Sequence, residues 1–256
     1  MVSVHNFSYG LLNPGIGYVV SCLGAFLGLR CVVRSRAYNG LARAPWLALG
    51  AVSLGATGIW AMHFIAMLGF TIPGQQILYN VPLTILSMLL AIFVVGVGVF
   101  IVGYSKGGWI PLIIGGVIVG LGVAGMHYMG MAAMSMQDTI TYNTPLVVLS
   151  VVIAVVAGTA ALWAGTAVRS IKATIGASLI MGVAVSGMHY TGMAAMKVFT
   201  GSMTVSGVLA FSFVIPLVLG LSMLTLVLAV VLVLAPDEDE IKSDAALRGR
   251  AGAFGR

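Results

Sequence analysis

The sequence predicts an all-α membrane protein of seven transmembrane helices, and three features carry that expectation. Mean hydropathy is +1.12 with only 7% charged residues, more oil than a soluble core of this size can bury. The apolar residues fall in seven runs, each of about 20 residues or more and so long enough to cross a bilayer. The basic residues gather in the short segments between the runs. The 34 glycines fit the same class, because small residues let spanning helices approach closely where water no longer drives them together.

In order, the runs cover 9–33, 46–70, 81–104, 109–136, 145–168, 171–199 and 206–235. The first has no basic leader or cleavage site before it and arginines after it, which predicts a retained helix rather than a signal peptide. Its "NPGIG" reads as a helix start with proline near the first turn. The breaks, from "RSRAYNGLARAP" to "GSMTVS", carry turn residues or charges. Arg34, Arg36, Arg43, Lys106, Arg169 and Lys172 lie in the first, third and fifth loops, whereas the second has no charge and the fourth only Asp138. The positive-inside rule then puts the N-terminus outside and the C-terminus in the cytoplasm of a bacterial-type inner membrane. Lys197 is the exception, with a stem long enough to snorkel to the interface.

Residues 1–235 thus form one transmembrane domain, and 236–256, mixed in charge and without apolar periodicity, are expected to be a disordered cytoplasmic tail. The net charge of +6 comes without an aromatic and basic surface, which argues against a nucleic-acid partner. Cys22 and Cys31 are nine residues apart on one run, or about 13 Å along a helix, so no disulfide framework is expected.

One phrase is spelled three times: "AMHFIAMLGF" from Ala61, "GMHYMGMAAM" from Gly125 and "GMHYTGMAAM" from Gly187. His63, His127 and His189 are separated by 64 and 62 residues, the length of a helix pair with its loops, so the chain is an internal repeat with the phrase on helices two, four and six. Those three helices run in the same direction, which puts the histidines at a common depth, about 5–8 Å into the outer half of the bilayer. Positions i, i+4 and i+7 share a helix face. His127, Met131 and Met134 therefore align, as do His189, Met193 and Met196, while the first copy keeps His63 and Met67 but has Phe70 in the third place. Met62, Met126 and Met188 flank the same face, and the glycines before each phrase are expected to let the three helices close up.

Thioether and imidazole donors together favour copper, above all Cu(I), over hard cations that want oxygen. No carboxylate lies inside a run, which argues against calcium, magnesium and di-iron centres. Haem is the alternative cofactor, since His/His and His/Met axial pairs are ordinary for iron porphyrins. Packing alone is a weaker account, because ionisable side chains in a bilayer are costly and ten of the 15 methionines fall within or beside the phrases. His5, outside the first helix, is either an exposed residue or a fourth imidazole folded over the site.

The phrases resemble the MHYT integral membrane sensor domain, whose tetrapeptide stands intact at Met188–Thr191; the second copy reads "MHYM" and the first "MHFI". The resemblance implies three repeated helix pairs and a further span. It also implies copper held through Met62 and His63, Met126 and His127, and Met188 and His189, with sensing of oxygen, carbon monoxide or nitric oxide. Many such proteins attach signalling domains at the cytoplasmic end, so a separate cytoplasmic signalling partner is expected here. The other readings from the residues are a copper-handling or transport protein and a haem-bearing redox protein; no conventional enzyme is expected.

Overall fold

Asn80 and Asn143 show how the chain starts its helices. Each side-chain oxygen accepts from the backbone N–H three residues on, at 3.0 Å from Leu83 and 3.3 Å from Leu146, and a proline follows in the first turn. A proline there removes a donor that the helix leaves unpaired in any case. Ser170 caps another helix through Ala173. The computed structural model describes residues 2–234 and contains seven helices: α1 (Leu12–Ser35), α2 (Gly40–Met67), α3 (Val81–Tyr104), α4 (Trp109–Ala132), α5 (Thr144–Ala167), α6 (Ile171–Ala195) and α7 (Val214–Leu234). The first six are long and apolar enough to cross a membrane. The tail expected at 236–256 lies outside the described residues.

Neighbours in the sequence are neighbours in space from α1 to α6, and α6 closes back on α1. Within the ring α2 is the deepest, with 83% of its apolar window buried against 22% for α5. Its middle, Ser53–Ala61, is a π-helix between α-helical ends, a form that recurs at functional sites. α7 packs on α1 and on this π segment, where the Thr57 and Thr225 hydroxyls are 2.6 Å apart.

The glycines before each phrase seat the odd-numbered helices rather than drawing the motif helices together, which corrects that expectation. A Cβ on Gly55 would lie 2.8 Å from Ile92 Cα of α3, and one on Gly120 would lie 2.3 Å from Val155 Cα of α5. Between α1 and α2 the approach is as close: a Cβ on Gly24 would stand 2.3 Å from the Gly58 backbone nitrogen. Gly24→Ala is expected to destabilise the bundle by about 1–3 kcal/mol, because backbone cannot yield as a side chain can. Thermal unfolding in detergent measures it.

At one end the chain leaves the helices early and forms short antiparallel ladders. β1 (Leu78–Tyr79) pairs with both β2 (Met134–Ser135) and β5 (Val208–Leu209), β3 (Thr139–Tyr142) pairs with β4 (Met196–Phe199), and His5 bridges Thr71. The fourth and sixth helices therefore end at Ala132 and Ala195, not at 136 and 199 as the apolar runs suggest. Alternating side chains in "TITY" and "MKVF" suit a half-exposed ladder, and Lys197 sits exposed within it. At the opposite end, Arg36 donates to the carbonyls of Gly165 and Val168, and Arg43 donates to that of Gly103 at 3.1 Å. The first loop thus clasps the ends of α3 and α5, and the basic loops share one end of the bundle. Cys22 and Cys31 are both free.

Candidate metal centre

His63, His127 and His189 stand four, five and six residues from the ends of α2, α4 and α6. At 1.5 Å per residue that is about 6–9 Å from the strand end, nearer to it than the length of the apolar runs suggests. The three helices bring the imidazoles together edge to face, with ring centroids 5.0, 5.0 and 5.1 Å apart. Each ring also meets the next residue's ring edge-on: Phe64 at 4.8 Å, Tyr128 at 4.9 Å and Tyr190 at 4.8 Å. The sequence repeat has become a near-threefold propeller.

The Nδ1 atoms point inward. His63 Nδ1 lies 3.0 Å from His189 Nδ1 and 3.1 Å from His127 Nδ1, and no imidazole is more than 1% exposed. The outward Nε2 atoms of His63 and His127 are buried without a hydrogen-bond partner. They lie over glycines of the next copy: a Cβ on Gly130 would come within 2.4 Å of His63 Nε2, and one on Gly192 within 2.3 Å of His127 Nε2. Each of these glycines is three residues after its own histidine, and Ala66 holds that place in the first copy. Glycine at this position is therefore the feature that lets neighbouring motif helices close around a ring, and the repeated "MHY.G" was its signal.

Met67, Met131 and Met193, one turn beyond the histidines, are buried, as are Met62, Met126 and Met188. Met134 and Met196 are not on the helical face that their spacing implied. They open β2 and β4, where they pair with Tyr79 and Tyr142 as part of the roof over the centre. The cause is the early helix end, since the i+7 rule holds only while the helix continues. His5 is exposed in its bridge to Thr71 and does not join the cluster. Trp60 packs on Phe64 at 4.6 Å and donates to Ser87. Tyr79 of the roof lies 5.9 Å from Phe64, and burial pushes its phenol above the usual range, so the roof stays neutral there.

The three imidazoles are placed to hold a single cation. An unprotonated imidazole nitrogen offers one in-plane lone pair, and a protonated one offers one donor. His63 Nδ1, facing two other Nδ1 atoms, cannot satisfy both by hydrogen bonding. A cation among the three nitrogens gives every lone pair the same partner. Ligand nitrogens around one ion at bond lengths of about 2.0–2.1 Å stand about 3.3–3.6 Å apart, so the observed spacing needs only a few tenths of an ångström of expansion. The ligand atoms of the three histidines all lie within 4.8 Å of one another, and no carboxylate belongs to the group.

Fold and centre together define a multi-pass helical membrane protein built from repeated helix pairs that converge on buried histidines. A family model described as "Bacterial signalling protein N terminal repeat", MHYT, matches residues 57–115 and 120–178, which contain His63 and His127. The chain belongs to this MHYT-repeat family of bacterial signalling proteins. The copy around His189 lies beyond the matched segments, and the geometry above makes it the third.

The chain is 38% identical over 200 residues to the bifunctional diguanylate cyclase/cyclic di-GMP phosphodiesterase MucR of Pseudomonas aeruginosa, across 76% of this chain and 29% of that protein. It is 36% identical over 200 residues to the cyclic di-GMP phosphodiesterase NbdA of the same organism, across 75% of this chain and 25% of that one. Signaling protein YkoW of Bacillus subtilis is 29% identical over 189 residues, 23% of its length. The chain spans less than a third of the length of these relatives. No solved structure matches it.

Proposed function

We propose that the protein is a sensor of the bacterial cytoplasmic membrane that holds copper as Cu(I) through His63, His127 and His189, with thioethers of Met67, Met131 and Met193 beside them. The signal is oxygen, carbon monoxide or nitric oxide, and it passes to a separate cytoplasmic protein. The observation that carries this reading is the convergence of three Nδ1 atoms in a buried group without a carboxylate. In such a site the net charge is that of the ion. The Born cost of a charge in a low-dielectric medium grows with its square, so a monovalent ion is strongly favoured over a divalent one.

The unpartnered Nε2 atoms support the same ion. A hydrogen bond at the second nitrogen makes an imidazole a more basic ligand, and His63 and His127 have none. A porphyrin needs a slot between its axial ligands, whereas these rings touch edge to face. A transport path needs further donors beyond the centre. The side chains lining the cavity below the histidines are chiefly valine, alanine, leucine and glycine, with Met181 and Met188. The basic end is cytoplasmic in this reading, with the N-terminus outside and α7 as the seventh span.

Copper, when bound, supplies an affinity for diatomic gases that imidazoles lack; the chain supplies the position and excludes water. The test is metal analysis of the purified protein beside a variant with alanine at His63, His127 and His189. Stoichiometric copper and carbon monoxide binding by the reduced protein are expected, and both should be lost from the variant. Copper that survives the triple change overturns the site.

A further inference from the structure

Directly beneath the imidazoles, away from the strand roof, the bundle holds a partly open apolar cavity of ≈ 60 Å³ lined by all six spanning helices. Met188, next to His189, reaches it from above, and Ile59, Val123 and Val185 line its upper part. Each of the last three stands four residues before its histidine, so the same helix faces that present the rings present these side chains one turn lower, about 6 Å away along the axis. Ala25 of α1, Val95 of α3 and Gly158 of α5 close the spaces between them.

Size and polarity select the occupant. Room for one water-sized probe takes about 10–15 Å³ and benzene occupies cavities of about 150 Å³. A volume of ≈ 60 Å³ therefore excludes acyl chains, quinones and aromatic rings while admitting a diatomic molecule or a noble-gas atom. Water needs two or more polar partners to stay in such a space, and Ser21 supplies the one hydroxyl among the lining side chains. Val102, Ala157 and Ala161 of its lining are only half-buried, so the cavity reaches toward the surface of the bundle and the hydrocarbon, where apolar gases concentrate.

We infer that this cavity is a docking site for an apolar diatomic gas, entered from the bilayer and delivering to the histidine cluster one helical turn above. Delivery rests on the sensor reading above, whereas occupancy does not require the metal. Crystals of the full chain without copper, pressurised with xenon, test occupancy. One xenon site is expected between Ile59, Val123 and Val185, and it should vanish in Val123→Phe, whose larger side chain fills the space. Val123→Ala, which enlarges the space, should keep the site at equal or higher occupancy, so the test survives if the phenylalanine variant does not fold. No xenon site in the unmodified chain, or one unmoved in Val123→Phe, overturns the inference. With copper bound and its content unchanged, Val123→Phe should also slow carbon monoxide association by about tenfold; an unchanged rate overturns delivery. Copper-loaded protein that binds xenon but no carbon monoxide would instead overturn the sensor reading and leave the cavity's occupancy standing.

Discussion

His63→Ala is expected to lower copper affinity by more than about 100-fold, since even the outer partners of a metal ligand are worth 10–100-fold. The effect should exceed that of alanine at His127 or His189. His63 is the hub: its Nδ1 is 3.0 Å from one partner nitrogen and 3.1 Å from the other. Removing it leaves two donors on α4 and α6 with the space on α2 unfilled. α2 is also the most enclosed helix, so no water or lipid headgroup reaches in to replace the ligand. Competition titration with a Cu(I) chelator of known affinity measures the change. A histidine kept for packing alone predicts a different result, a loss of stability with no difference between the variant and the parent chain in copper bound.

Much of this arrangement was legible because the chain repeats itself. A spacing of 64 and 62 residues is two spans plus loops, so the repeat determined which helices carry the histidines and that they share a depth. Helical phase did the rest for His63, His127 and His189, whose rings converge. The reading failed where the chain stops being a helix. Apolarity continues through Met134 and Met196 into the strands, so hydropathy marks no boundary there. The ladder that ends α4 pairs Tyr79 with Met134, partners far apart in sequence that no local pattern reveals. His5 is positioned in the same way, by a bridge to Thr71 rather than by helical spacing. The π segment of α2 escaped too, because a π-helix is built from the same residue types as an α-helix. Gly130 and Gly192 were visible in the phrase, but Ala66 in the first copy hid the demand that two of the three places make.

Those two glycines give the second large effect. Gly130→Ala and Gly192→Ala are each expected to weaken copper binding by about 10–100-fold and to cost about 1–3 kcal/mol of stability. The added Cβ would stand 2.4 Å from His63 Nε2 in one case and 2.3 Å from His127 Nε2 in the other. Ordinary van der Waals contact begins near 3.4 Å, so the ring or the helix must move by about 1 Å. The ring has nowhere to go, since the other imidazoles hold it on the inner side and Phe64 or Tyr128 holds its edge. A metal site senses such a shift more than a core does, because ligand atoms must meet at one point. Gly130→Ala should be the more severe of the two, for it displaces His63, whose nitrogen makes both central contacts. Gly187→Ala is the control: it lies two residues before His189, and nothing stands within 4 Å of its added Cβ. In a helix that change is expected to leave copper binding intact and to gain up to about 1 kcal/mol. Chelator competition and thermal unfolding on the three variants together decide the point. Copper affinity in Gly130→Ala equal to that in Gly187→Ala would mean that the histidine rings are not held by the helices that cross over them.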